Sequence, residues 1–275
     1  MRPSTNVLYC AIDSFISPTN RAVPGFAEFL GAVSEAELPC VWITARSRIQ
    51  LDAAIRKFGN SDPFIAEGGS GVFIPEDYFH LKPERTIRRA RFTCIPAATP
   101  LPAAAEALES LAEETGVAVV PLRTLTPREL SQNTGLAPRE AALLAERDFD
   151  EYFFFAGASE ADLIRFQQQA KSRNLLLRPR GTLWSLSVGA NLQTCVRELS
   201  KLYDRAFKSR SFRVALAALE DAAELFPACE RTILLAAKEI DPAPDSRSIS
   251  AHLSLPLAAS GTWDSALEAV RARRS

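Results

Sequence analysis

The chain has 275 residues, enough for a core with an inserted second domain, and its 47% hydrophobic and 24% charged residues are those of a soluble globular protein. No apolar run reaches the roughly 18 to 20 residues that cross a bilayer, which argues against a membrane protein. Net charge is −1, and the basic clusters at 85–91 and 271–274 have no interleaved aromatics, which argues against nucleic acid.

The chain runs from Met1 directly into the apolar run Val7 to Ile12 with no leader-like segment, so a cytoplasmic location is expected. That run reads as a buried strand delivering Asp13 to its carboxyl end, where open α/β sheets put their chemistry. Residues 25–37 have helical periodicity, 38–43 form a second apolar strand ending at Thr44, 50–58 a second helix and 63–66 a third strand. A glycine turn, Glu67-Gly68-Gly69-Ser70-Gly71, precedes the strand 72–74.

The composition changes near 83, and the following segment reads as an α+β insert. It has a basic strand at 86–92, a Pro- and Ala-rich stretch at 96–102, a helix at 103–115 and a strand at 117–120. Two helices entered at Thr126 and Ala137-Pro138 follow, then a strand at 152–155, a helix at 160–173, and strands at 175–177 and 183–187. Beyond 190 come a helix through Leu192, Val196, Leu199 and Leu202, a strand at 212–216, a loop at 241–250 and a last helix from about Asp264, capped by Thr262 or Asp264. The expected fold is an α/β Rossmann-like core with a parallel sheet, formed by 1–82 and 188–275, carrying an inserted α+β cap at 83–187. The five scattered cysteines read as small buried hydrophobes rather than ligands or disulfides, and Trp42, Trp184 and Trp263 as core.

In order, these segments resemble the haloacid dehalogenase-like (HAD) superfamily, and within it the mannosyl-3-phosphoglycerate phosphatase family with a Cof-type cap. The resemblance rests on residues 64–75 with Tyr78-Phe79, on Thr134-Gly135-Leu136 and Arg147-Asp148-Phe149-Asp150-Glu151 in the insert, and on Gly261-Thr262-Trp263 with Ala266 and Val270. It implies a phosphatase with an aspartate nucleophile, a second aspartate two residues on as acid and base, and a hydroxyl and a lysine on the phosphate. It further implies Mg²⁺ held by acidic residues of a loop, since that ion wants hard oxygen ligands.

The nucleophile position is Ala11, whose methyl can neither attack phosphorus nor ligate a metal, while Asp13 remains at the acid/base position and Thr44 at the hydroxyl position, with Arg46 nearby. The lysine position falls at Leu192, after Asn191, and the metal loop on 219–224, which keeps carboxylates at Glu220 and Glu224. Loss of a covalent nucleophile costs on the order of a millionfold in turnover. The resulting expectation is a HAD-like protein impaired in catalysis that binds a phosphorylated sugar or sugar-acid ligand or a partner protein. The alternative is a divergent Mg²⁺-dependent phosphatase acting on a sugar phosphate or glycosyl-3-phosphoglycerate, and a third reading is a scaffold for a neighbouring sugar-phosphate enzyme.

Candidate residues under these readings are Asp13 and Thr44 for catalysis, and Arg46, Glu67, Arg147, Asp150 and Glu151 for ligand contacts. Asp13, Glu220 and Glu224 are candidates for a metal, which an inactive protein would not need. Each has a plainer counterpart. Asp13 reads equally as a carboxylate hydrogen-bonded to turn amides, and the 67–71 segment as a simple turn rather than a phosphate cradle. Glu220, Asp221 and Glu224 read as an exposed acidic helix start, Thr44 as a helix cap, and Arg147, Asp150 and Glu151 as a structural ion-pair cluster. A cleft lined by Ala11, Leu192 and Leu219 is expected to be nearly apolar.

Overall fold

The structure is a computed structural model, and it describes residues 5–80, 83–236 and 251–272. The predicted loop at 241–250 lies outside the described residues.

The first strand, β1 (Asn6–Ala11), is buried at every position, as expected of an apolar run covered on both faces. It is followed by α1 (Phe26–Glu35), β2 (Cys40–Ile43) and α2 (Arg48–Phe58). Helix α2 starts two residues earlier than the periodicity suggests, because Ser47 and Gln50 form a reciprocal capping box. Next come β3 (Phe64–Ala66), β4 (Gly71–Pro75), β5 (Ile87–Arg89) and β6 (Phe92–Pro96). The middle of the chain holds α3 (Leu101–Thr115), β7 (Val119–Pro121), α4 (Pro127–Thr134), α5 (Pro138–Ala145), β8 (Glu151–Phe155), α6 (Glu160–Ser172), β9 (Leu175–Arg180) and β10 (Leu183–Val188). The last part comprises α7 (Leu192–Phe207), β11 (Phe212–Ala217), α8 (Leu219–Leu225), β12 (Arg231–Ala236), β13 (Leu253–Pro256) and α9 (Thr262–Arg271). The left-handed Gly261 caps α9, where Thr262 or Asp264 was expected.

Among the described residues, nine strands form one sheet in the order β13-β12-β11-β1-β2-β3-β4-β6-β5. All pairs from β13 to β3 are parallel, and β4, β6 and β5 add an antiparallel edge. The strands β5 and β6 fall inside the stretch read from sequence as insert, yet they extend the large sheet. The change in composition at 83 therefore marks the basic exposed edge of that sheet, and the chain leaves it only after Pro96.

A second, four-stranded sheet, β7-β8-β10-β9, is antiparallel throughout. One face of the large sheet packs on α1, α2 and α9, and the other on α7 and α8. The second sheet has its own core under α3 and α6, and a smaller cluster joins α4 and α5 to Tyr152 and Leu183. Trp42 is buried, while Trp184 and Trp263 are only partly so. Among the described residues no helix is long and apolar enough to cross a membrane.

Candidate functional site

The carboxyl ends of β1, β2 and β11 meet beneath the second sheet. Asp13 follows β1, and its carboxylate is well satisfied: Thr44 donates its hydroxyl to Oδ1 at 2.5 Å and the Ala45 amide donates to Oδ2 at 2.6 Å. The guanidinium of Arg46 lies 3.5 Å away. Thr44, buried at the end of β2, accepts from the Arg46 amide at 3.0 Å, so its single proton is committed to Asp13 rather than to a bound phosphate. Two of the residues named for catalysis are thus together, joined as a hydrogen-bonded pair.

Ala11 is the last residue of β1, opposite Ile43, and is 1% exposed. Its methyl belongs to the apolar cluster that includes Tyr9, Leu192 and Val196. Leu192 opens α7, whose N-cap Asn191 accepts from the Thr194 amide, and it packs its backbone on Gly69 so closely that a Cβ there would lie 2.6 Å from the Leu192 Cα. The positions read as nucleophile and lysine therefore both belong to packed apolar surface at the strand ends.

The cation of this site comes from elsewhere. Arg178 and Arg180 reach down from β9, two residues apart and so on one face of the strand. Arg178 grips Glu224 with Nε and Nη2 at 3.0 and 2.5 Å, and its Nη1 donates to the Gly68 carbonyl at 2.8 Å. Arg180 forms no ion pair among the described residues, and its Nε is buried without a hydrogen-bond partner. Gly68 makes this possible: it has φ +62°, and a Cβ would lie 2.7 Å from Arg178 Nη1 and 2.8 Å from Arg180 Nη2.

Arg180 borders two spaces, which also share Ala45, Glu220 and Asp221 in their linings. A small inner pocket of about 60 Å³ is lined by Thr44, Gly68, Leu192, Asp221 and the two arginines. An outer cleft of about 1040 Å³ runs from Asp13 past Gln50 and Tyr152 to Leu136 and Leu143 on the α4–α5 side. Leu219 is 44% exposed, so the expected apolar cleft of Ala11, Leu192 and Leu219 is not what forms; arginine and carboxylate groups line it instead.

Asp221 is the acidic residue that points inward. Burial raises its pKa to about 6, Asp13 adds to the effect and Arg180 opposes it. Glu220 is exposed and lines the rim of both spaces, and Glu224 is paired with Arg178. Sequence spacing favoured Glu220 and Glu224, which share a helix face at i and i+4; the buried side of α8 is that of Ala222 and Leu225, with Asp221 half-buried beside it.

The carboxylates do not fit the magnesium site implied by the family. Asp13 has both oxygens engaged, Glu224 is forked by an arginine, and Ala11 supplies no oxygen. Among the described residues, no three His, Cys, Asp or Glu side chains are grouped to hold a metal ion. Asp13, Glu220 and Glu224 do not form such a group.

The residues read as ligand contacts have other partners. Arg46 is bound to the Ile16 carbonyl and to Asn20 Oδ1, tying down the 16–22 turn, and burial lowers its pKa against the pull of Asp13. Glu67, at φ +51° and 1% exposed, accepts the amides of Asp148, Phe149 and Asp150 at 2.9, 2.8 and 3.0 Å. Burial and the neighbouring Asp150 push its pKa up to about 7. Arg147 is fully enclosed by Asp150, Gln50, the Ala45 carbonyl and the Tyr152 ring, whose centroid is 3.7 Å from the guanidinium carbon. Burial opposes its charge, but Asp150, Tyr152 and Glu67 hold its pKa up. Glu151 is buried against Arg123, and burial raises its pKa to about 6. Glu67, Arg147 and Asp150 fasten the second sheet to the turns after β2 and β3, whereas Arg46 lines the outer cleft. The amides of Gly68, Gly69 and Ser70 all donate to backbone carbonyls, so 67–71 is a turn and not a cradle.

No family model matches the chain. A glucosyl-3-phosphoglycerate/mannosyl-3-phosphoglycerate phosphatase of Methanococcoides burtonii is 25% identical over 178 residues, a match that spans 65% of each chain and so falls just short of two thirds of that relative's length. A phosphatase of the haloalkanoate (HAD) superfamily from Bacteroides thetaiotaomicron has the same architecture with a TM-score of 0.63 and 15% identity, over 98% of this chain and 97% of that one. This chain has the HAD-like fold. A subclass IIB sugar phosphatase of that superfamily also matches over 96% of both chains, with a TM-score of 0.58 and 13% identity.

Proposed function

We propose that this HAD-like protein binds the phosphate monoester of a sugar or sugar acid at the ends of β1, β2 and β11, and does not hydrolyse it. In this reading residues after Pro96 and before Gly189 act as a cap, and the cap supplies the phosphate-binding cation. The observation that carries the reading is Arg180, a partly buried guanidinium with no hydrogen-bond acceptor among the described residues, which faces strand ends where Ala11 stands in the nucleophile's position. Because Arg180 also lines the inner pocket without an ion-pair partner among the described residues, an oxyanion there would neutralise its charge through short charge-assisted bonds.

The inner pocket suits a single tetrahedral anion and the outer cleft has room for a sugar or a glycosylated acid, with the side-chain amide of Gln50 to meet a hydroxyl group. Asp221, held near neutrality at its raised pKa, presents a proton rather than a full negative charge to that anion at mildly acidic pH. Magnesium has no role in this reading. The names of the Methanococcoides burtonii relative and of the subclass IIB structure support a phosphorylated sugar as the ligand class.

The test is calorimetric titration with glucose 6-phosphate, mannose 6-phosphate and mannosyl-3-phosphoglycerate, with and without Mg²⁺, alongside an assay of phosphate release. The expected result is saturable binding that is independent of Mg²⁺, with no release. Release at an ordinary enzymatic rate that disappears in Asp13→Asn, or absence of binding across the panel, would overturn it.

A further inference from the structure

The peptide between Ala45 and Arg46 connects the second sheet to the strand-end site. Its carbonyl, that of Ala45, accepts Arg147 Nη2 at 2.7 Å and the Tyr152 hydroxyl at 3.1 Å. Its amide, that of Arg46, donates to Thr44 Oγ1 at 3.0 Å, and Thr44 in turn donates to Asp13 Oδ1 at 2.5 Å. The preceding amide, that of Ala45, donates to Asp13 Oδ2 at 2.6 Å. Because a peptide group is planar and stiff, fixing its oxygen from one side fixes the direction of its N–H on the other. The Arg46 amide occupies an acceptor site on Thr44 Oγ1 and thereby directs the Thr44 proton toward Asp13.

We infer that Arg147 and Tyr152 are positioning residues: by clamping the Ala45 carbonyl they set the Thr44 hydroxyl and the Asp13 carboxylate, so that the second sheet orders two side chains carried by the large one. Arg147 is suited to this because it is held on every side, by Asp150, by Gln50 Oε1 at 3.1 Å and by the face of Tyr152. Asp150 is held in turn through its own amide, which donates to Glu67. Glu151, the next residue, turns to Arg123 and makes no link to Ala45. The role rests on the reading that Asp13 and Thr44 border a ligand site, but the clamp itself is measurable without any ligand.

The experiment uses the full chain with Tyr152→Phe and Arg147→Lys, and Glu151→Gln as the control on the same strand. The first readout is the amide proton shifts of Ala45 and Arg46 in the ligand-free protein by NMR. Both are expected to move upfield in Tyr152→Phe and further in Arg147→Lys, as the bonds to Asp13 and Thr44 lengthen, and to stay in place in Glu151→Gln. The second readout is affinity for glucose 6-phosphate, expected to fall about 3-fold in Tyr152→Phe and about 10-fold in Arg147→Lys. Should Arg147→Lys fail to fold, Tyr152→Phe carries the test alone. Unmoved amides in a folded Tyr152→Phe, or equal movement in Glu151→Gln, would overturn the inference. If the amides move as expected but the wild type binds no sugar phosphate, the clamp stands and the proposed function fails.

Discussion

Two arginines reach the strand ends from the same part of the chain, and their surroundings differ in one respect. Arg147 is saturated, with a carboxylate, an amide oxygen, a backbone carbonyl and an aromatic face around it. Arg180 is partly buried with its Nε unsatisfied, and it borders both the inner pocket and the outer cleft. A saturated buried cation serves the fold, because removing any one partner strands the rest. An unsatisfied one detracts from the stability of the empty protein and favours whatever anion arrives. Sequence alone ranked them the other way, with Arg147 named as a ligand contact and Arg180 not named at all.

The largest expected effect tests the saturated side. Asp150→Ala leaves the Arg147 charge buried without its counter-ion and should lower unfolding free energy by about 3–5 kcal/mol, measured by urea denaturation. On the unsatisfied side, Arg180→Met should weaken sugar-phosphate binding about 30-fold, or about 2 kcal/mol, while the melting temperature of the ligand-free protein stays level or rises. A drop in that melting temperature comparable to the one in Asp150→Ala would erase the distinction. Gly68→Ala should cost about 1–2 kcal/mol, through its positive φ and the Cβ pressed on both β9 arginines, and should weaken binding as well.

The smallest effect is in pH. Asp221 has a folded pKa raised to about 6, so it is protonated below that pH and charged above it. A charged Asp221 repels the bound anion; affinity should therefore be highest below pH 6 and fall a few-fold as pH rises through about 6. The ligand's own phosphate titrates in the same range, so the comparison is with Asp221→Asn, in which the part of the step due to the protein should vanish.

Much of the fold could be read because it depends on local rules. The buried run ending at Asp13, the strand ending at Thr44 and the capped entry at Thr126 each follow from periodicity and capping, and each has its counterpart in the structure. Placing Ala11, Asp13, Thr44 and Leu192 at one set of strand ends was also legible, through family resemblance. What could not be read depends on distant parts of the chain. Arg178 and Arg180 share a strand face, a signal present in their spacing, but the strand as read ended at Leu177 and left them out. Glu67 looked like a site carboxylate because nothing near it in sequence reveals that three amides some 80 residues away would occupy it. The β5–β6 edge was assigned to the insert because its basic composition reports exposure, not which sheet it joins.

The packing of Ala11 against Leu192 also bears on how such a protein changes over evolutionary time. An aspartate at position 11 would enter an apolar cluster that also holds the leucine opening α7. Introduced alone it is a buried charge, costly unless a partner stands beside it. In fitness terms a charge at this position is reached only across a valley, and the alanine is held in place by its neighbours.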